Sequence, residues 1–423
     1  MLFSQRQSLH RGCLAALAAV FLLALPVHAQ EDALNLESAP VEAAAASPKG
    51  IKWSVEGAAA NSSQRYANDS VDSGRVSIDM LYSNHIATGV RATVSNRLEA
   101  IHATGAEANT QRNSLREAYL SWQPEGGNTV IDLGRINQRN GPGYGYNPTD
   151  FFRDGSLRVI TSADPFALRQ NRMGSVMLRA QQLWNGGSLS VAYSPKLADK
   201  PSNDTWDLDL GSTNNRDRAV ITLGTQFSQS VNSQVLVYQE SGRKPTLGAN
   251  VTALLSDAAV AHLEWTTGTE APLVNRVFGG APVEITSNRF VVGVTYTTLG
   301  KTSFTAEYQY NGFALDSTGW AKRGLPQQLG YLRESLRLQE LAPRQAYLLY
   351  VMQKGLWLKD LDLTGYVRFN GDDDSRLTWL ELRNHWRNYD LTLQLQHNTG
   401  SAGSEFGILP EQRVMQVLGT YYF

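Results

Sequence analysis

The chain has 423 residues, with 38 Lys and Arg against 39 Asp and Glu and a net charge of −1, so no basic excess is present to hold nucleic acid by its phosphates. Glycine (36), tyrosine (17) and tryptophan (9) are plentiful. The single cysteine excludes an intramolecular disulfide, so stability has to come from packing and hydrogen bonding.

Arg6 and Arg11 precede the apolar run 13–25, and Pro26-Val27-His28-Ala29 follows it. This basic, apolar, small-residue order predicts a signal peptide, residues 1–29, cleaved after Ala29. The run is shorter than the roughly 20 residues that a retained membrane helix needs. Cys13 lies within it without the sequence context of a lipoprotein site, so no lipid anchor is expected. The processed chain then carries 36 basic and 39 acidic side chains, net −3. Residues 30–49, with Ala43-Ala44-Ala45-Ala46-Ser47-Pro48, have no aromatic residue and no strand period, and predict a flexible periplasmic tail. They leave no room for the folded plug of a TonB-dependent receptor.

From Ile51 the dominant period is two. Val76, Ile78, Met80 and Tyr82 alternate with Arg75, Ser77 and Asp79; Val90, Ala92, Val94 and Leu98 alternate with Arg91, Thr93, Ser95 and Arg97. Phe290, Val292, Val294 and Tyr296, then Phe304, Ala306, Tyr308 and Tyr310, then Leu391, Leu393 and Leu395 repeat the pattern. Alternation alone fits a soluble sandwich or a membrane barrel. Connection lengths choose between them. Short turns at 124–128, 185–187, 298–301 and 387–389 alternate with longer loops at 61–73, 140–168, 197–215, 268–287 and 314–343. Residues 50–423 therefore predict an all-β chain forming one transmembrane antiparallel up-and-down β-barrel of about 18 strands, with 16 as the alternative. If Ile51 starts an outward strand, Tyr82, Trp122, Trp184, Phe227, Tyr296, Trp386, Tyr421 and Phe423 gather at the periplasmic end as an aromatic girdle. The last strand, 413–423, with Tyr421 and Phe423, resembles the C-terminal signal read by the barrel-assembly machinery.

The third loop reads Asn140-Gly141-Pro142-Gly143-Tyr144-Gly145-Tyr146-Asn147-Pro148-Thr149-Asp150-Phe151-Phe152-Arg153-Asp154. Its glycines and prolines suit an irregular backbone, and its four aromatic residues suit packing on a wall. It is expected to fold into the lumen as a constriction carrying Tyr144, Tyr146, Asp150, Arg153 and Asp154; the alternative is a surface loop covering the mouth.

The runs Leu115-Arg116-Glu117-Ala118-Tyr119-Leu120, Leu133-Gly134-Arg135-Ile136-Asn137-Gln138 and Gly145-Tyr146-Asn147-Pro148-Thr149-Asp150 resemble the corresponding region of porin-like outer-membrane barrels of the alginate-export type. The resemblance covers a short part of the chain. It implies a barrel and a pore role for Arg135. The dense arginine lining which that family uses for a polyanionic sugar chain is not matched here, so the resemblance implies no cargo.

Strand parity puts Arg75, Asp79, Arg91, Arg97, Glu99, Glu117, Arg218, Arg289, Glu307, Arg368, Glu381 and Arg383 in the lumen. Charges of both signs either hold a transverse field across a constriction or form ion pairs that fill and stiffen the interior. Leu325, Leu329, Leu332 and Leu336 predict a short helix in the loop 314–343, gating the mouth or packing on the rim. Asp372-Asp373-Asp374-Ser375 lacks the ordered spacing of a Ca²⁺ site and reads as a charged turn. His262 and His385 share lumen parity with Glu264 and Glu381, but no Gly-x-Ser-x-Gly, His-Glu-x-x-His, Walker or dinucleotide signature accompanies them. The expectation is a non-enzymatic porin without cofactor in the outer membrane of a Gram-negative bacterium, passing small polar solutes or ions. An exopolysaccharide export channel and a non-conducting structural or adhesion barrel are the alternatives. Its partners are expected to be outer-membrane lipid, lipopolysaccharide, the barrel-assembly machinery and, in the trimer alternative to a monomer, copies of itself.

Overall fold

The period-two segments pair into one sheet. The computed structural model describes residues 50–67, 69–104, 110–160, 162–279 and 283–423; the expected signal peptide and the tail at 30–49 lie outside the described residues. The first nine strands are β1 (Gly50–Gln64), β2 (Ser70–Ala87), β3 (Val90–Ala103), β4 (Thr110–Trp122), β5 (Thr129–Ile136), β6 (Ser175–Trp184), β7 (Gly187–Ser194), β8 (Arg218–Ser228) and β9 (Val231–Glu240). The second nine are β10 (Thr246–Ser256), β11 (Ala259–Glu270), β12 (Ile285–Thr297), β13 (Thr302–Asn311), β14 (Gln345–Gln353), β15 (Leu361–Asn370), β16 (Arg376–His385), β17 (Tyr389–Thr399) and β18 (Glu411–Tyr422). Each strand pairs antiparallel with its chain neighbours, and β18 returns to β1 through pairs such as Gly57 with Gly419, leaving no open edge. The predicted 18 strands are those observed; the alternative of 16 is set aside.

Exposure decides between sandwich and barrel. In β2, Val76 is 55% exposed while its neighbour Ser77 is 1% exposed. Leu133 beside Asp132 and Leu178 beside Arg179 repeat the inversion. A soluble sheet buries its apolar face. This wall turns that face outward over polar and charged interior side chains, the arrangement that lipid stabilises. Among the described residues no helix is long and apolar enough to cross a membrane.

One end of the barrel carries short turns and the other carries the longer loops. The first loop is shorter than expected, residues 65–69 instead of 61–73. The apolar alternation stops near residue 60, but Ser62 and Ser63 still pair with Val71 and Ser70, because the backbone ladder does not require apolar side chains. At the turn end Trp122, Trp184, Phe227, Trp386, Tyr421 and Phe423 are exposed. Trp386 stacks on Tyr389 at 4.7 Å and Tyr421 meets Phe423 edge-on at 4.9 Å. A bulge in β4 opposite Ser95 and Asn96 inserts Arg116, whose side chain reaches Asp79 at 2.7 Å.

Short helices decorate the loop end: α1 (Pro165–Gln170), α2 (Leu210–Thr213), α3 (Leu273–Phe278), α4 (Ser317–Ala321) and α5 (Leu325–Leu338). The predicted helix is α5, with a different buried face. It buries Gln328, Tyr331, Ser335 and Leu338, while Leu325 and Leu336 remain exposed. The Tyr331 hydroxyl explains the rotation: it donates to the Ala342 carbonyl (3.0 Å) and accepts from the Leu315 amide (3.0 Å), which turns the leucine stripe aside. Apolar packing inside the wall is confined to clusters under the loops, of which the largest joins Ile136, Phe152, Met177, Leu236 and Tyr238.

Candidate functional site

The third loop, residues 137–174, lies inside the wall, docked on carboxylates of the strands. Glu264 of β11, fully buried, accepts from the Gly143 amide (2.6 Å), the Asn147 side chain (2.8 Å), and the amide and hydroxyl of Thr149 (3.3 and 3.0 Å). Glu307 of β13 accepts from the Tyr144 and Gly145 amides (2.6 and 3.0 Å) and pairs with His262 at 2.9 Å. The glycines follow from this approach. Gly141 has φ +89°, and a Cβ there would strike the Glu264 carboxyl group; at Gly145 it would strike Gln309.

The loop's aromatic residues complete the docking. Tyr144 packs edge-on against Phe166 (4.9 Å) and against Tyr350 of β14 (5.6 Å), and Phe151 stacks on Tyr238 of β9 at 4.4 Å. The loop's charges are all engaged. Asp150 pairs with Arg172 (2.9 Å) and Arg169 (3.5 Å), while Asp154 pairs with Arg216 (2.9 Å) and Arg337 (3.1 Å). Arg153 pairs with Glu340 (2.7 Å), which also accepts from the Tyr146 hydroxyl (2.6 Å). Glu340 belongs to the seventh loop, residues 312–344, so this cluster locks the two loops together. Burial opposes ionisation of Glu340, but Arg153 and Arg289 outweigh it and hold the carboxyl at about 2. Burial pushes the Tyr146 hydroxyl well above its ordinary value, and Glu340 adds to the effect.

Most of the wall residues expected to line the lumen meet a partner on the wall or on a loop folded into it. Arg75 contacts Glu56 (2.8 Å) and Glu99 (3.2 Å). Arg97 contacts Glu56 (3.0 Å), Glu99 (2.9 Å) and Asp79. Arg289 pairs with Glu270 and, at 3.3 Å, with Glu340; Arg368 pairs with Glu405 at 2.6 Å. Arg383 pairs with Glu381 at 3.0 Å. Arg218 donates to the Ser175 hydroxyl (2.9 Å) and the Thr213 carbonyl, over the Phe152 ring. Glu117 accepts from the Asn137 amide at 3.3 Å where the third loop begins. Arg91 shares the inward face of β3 with Thr93 and Arg97.

Arg135 requires a correction. It has the outward parity of Leu133, in register with Ala118 and Val176, and its guanidinium is buried beneath the fourth loop (195–217), donating to the carbonyls of Leu115 (2.9 Å) and Leu208 (2.6 Å). Arg135 follows Gly134, whose φ is +135° and where a Cβ would strike the Ala118 carbonyl and Tyr119. It therefore tethers a loop and does not line a pore.

Sequence reasoning missed Glu264 and Glu340 as anchors and Arg169 and Arg172 as partners of Asp150. Glu264 had the inward parity but no local signal of its partner, since Gly143 is 121 residues away. His262 and His385 are bonded to Glu307 and Asp390 (2.9 Å each) in place of Glu264 and Glu381. Asp373 accepts from the Ser375 hydroxyl (2.6 Å) and the Glu405 amide (2.6 Å), an ordered turn holding the ninth loop (400–410). Among the described residues no group of three His, Cys, Asp or Glu is placed to hold a metal ion. A cavity of about 470 Å³ remains between the third loop, α5, the ninth loop and β15–β18.

A closed 18-stranded wall, apolar outside and charged inside, with a loop docked across its interior, is a porin-like β-barrel. Among solved structures the fold is similar to OccAB4 of Acinetobacter baumannii, at 9% identity and a TM-score of 0.53 over 88% of this chain and 97% of that one. A mutant of the Rhodopseudomonas blastica porin is similar at 11% identity and a TM-score of 0.43, over 88% and 99% of the two chains. No protein-family model and no curated protein matches the chain.

Proposed function

We propose that the protein is an outer-membrane porin of a Gram-negative bacterium, through which small solutes or ions cross passively. The observation that carries this reading is the third loop: docked on Glu264 and Glu307, it narrows the interior while a cavity of about 470 Å³ stays beside it. No chemical step is required of the residues that line it. A barrel serving only as scaffold or adhesin has no use for a loop held inside the wall by buried carboxylates. Export of a polymer, the alternative reading, requires a lumen that the crossing loop does not interrupt, which favours diffusion.

In this reading residues 1–29 direct export, residues 30–49 are a periplasmic tail, and 50–423 form the barrel. Tyr421 and Phe423 address the assembly machinery, the outer face meets lipid and lipopolysaccharide, and the protein works as a monomer or a homotrimer. The test is planar-bilayer conductance of the purified, refolded barrel. Stepwise ohmic currents are expected; a folded barrel that stays silent at every voltage refutes the porin reading.

A further inference from the structure

The cavity beside the third loop is not lined as a purely aqueous passage would be. Its upper part is apolar: Leu157 and Ile160 come from the third loop, Leu332 and Leu336 from α5, and Leu409 from the ninth loop. Leu336 is 47% and Ile160 50% exposed, although both belong to loops that bury other apolar side chains nearby. On α5, Tyr331 and Leu338 pack into the cluster under the loops with Leu332 at its edge, while Leu336 is left exposed. An apolar surface kept in contact with water costs free energy unless something covers it, and here three separate loops contribute to one such surface.

Deeper along the wall the lining changes. Gln394, Gln396 and Gln416 of β17 and β18 present amides to the cavity, close to the rings of Tyr366 and Trp379. Around the cavity Arg153 pairs with Glu340, Arg368 pairs with Glu405, and Arg169 and Arg172 share Asp150, so each charge there already has a partner. Amides donate and accept, which suits hydroxyl groups of a neutral solute. The volume falls in the range of about 300–1,000 Å³ typical of small-molecule sites.

We infer that this cavity is a binding station for neutral amphipathic solutes, with a hydroxyl-bearing end at the glutamines and an apolar group about the size of one ring against Leu332, Leu336, Ile160 and Leu409. The assignment rests on the porin reading and narrows it from polar solutes in general to glycoside-like ones. An apolar ring then slows passage by residing in the upper part of the cavity while the polar end samples the amides below it.

The test uses the full-length processed barrel in planar bilayers, with phenyl β-glucoside and methyl β-glucoside as probes, since they share the polar end and differ in the apolar group. Phenyl glucoside should block the ion current at a concentration about tenfold lower than methyl glucoside, the effect of roughly 1.4 kcal/mol. Leu336→Asn combined with Ile160→Asn should bring the two probes to within about twofold, each block read relative to that variant's own current in salt alone, and Leu336→Met should keep the discrimination. The replaced side chains are half-exposed loop residues that belong to no strand. Should the double variant not refold, the comparison of the two probes on the unaltered barrel still decides. Equal block by both glucosides overturns the inference and leaves the porin reading intact. A barrel that carries no current in salt alone overturns the porin reading, and this inference with it.

Discussion

The docking of the third loop makes Glu264→Ala the most informative single change. Four donors converge on its carboxylate, but they do not lose equally. The Thr149 hydroxyl keeps Asn250 at 2.9 Å and the Asn147 amide keeps the Gly143 carbonyl at 2.7 Å, so the Gly143 and Thr149 amides are the two left bare. A buried donor without an acceptor costs about 1–3 kcal/mol. Removing the buried carboxylate returns part of this through relieved desolvation, leaving a loss of about 3 kcal/mol in docking, or a shift of roughly a hundredfold between docked and undocked loop. The wall should survive, because Glu264 sits in the backbone ladder between Asn250 and Val291 whatever its side chain. In planar bilayers the variant should show a higher mean conductance and more open-channel noise. Limited proteolysis of the folded barrel should newly cleave within 137–174, and heat-induced unfolding should stay close to the unaltered protein. Glu264→Gln, which keeps one acceptor oxygen, should fall between the two. A folded Glu264→Ala barrel with unchanged mean current, noise and protease resistance refutes the reasoning.

Gly141→Ala should act in the same direction, since a side chain at φ +89° costs about 1–2 kcal/mol before its collision with Glu264 is counted; loop proteolysis checks it. Arg97→Met removes the cation shared by Glu56, Asp79 and Glu99 and should lower stability by about 3–5 kcal/mol, read from the urea midpoint of barrel unfolding, while reversal potentials shift toward cation preference. The lock between the loops depends on ionised Glu340, whose pKa is depressed from 4.5 to about 2. Its contribution, on the order of 3 kcal/mol, is complete above about pH 4.5, shrinks as pH falls, and is gone near pH 2, so current noise should stay flat from pH 7 to 5 and rise below that window; Glu340→Gln should be noisy throughout. On the outer face, Val76→Arg should cost about 2–4 kcal/mol of barrel stability in lipid, against little effect for Val76→Leu.

Strand identity and orientation were legible because period two is a local signal. Val76 and Ser77 show it within two residues, and the alternation of short and long connections converts it into an up-and-down sheet. The position of the third loop had a local trace as well, in its crowded glycines, but what those glycines approach is a carboxylate on another strand. Parity assigned Glu264 and Glu307 to the interior and could go no further, since nothing in the neighbourhood of either residue records a partner more than 100 residues away. The helix α5 was legible as a helix but not in its packing. Its leucine spacing was read correctly as helical, but the buried face was set by one tyrosine hydroxyl bonded to two backbone groups, which no apolar pattern encodes. Arg135 shows the limit of motif resemblance: the residue matched, while the positive φ at Gly134 and the fourth loop above decide what its guanidinium touches.

On the proposed porin function, the pairing of the interior charges bears on what would select a solute. A transverse field needs opposite charges facing each other across open space, and here Arg75, Arg97 and Arg116 meet Glu56, Asp79 and Glu99 along one wall, within contact distance. At that separation their potentials largely cancel a few ångströms into the lumen, where water and salt screen the remainder. Discrimination then falls to the width left by the third loop and to the character of its lining. On one side that lining is made of leucine and isoleucine from three loops, on the other of glutamine amides. Discrimination between neutral solutes that differ in an apolar group should then change less on removal of any one wall charge than on removal of Leu336 and Ile160, an order of sensitivity opposite to that of a channel selecting by field.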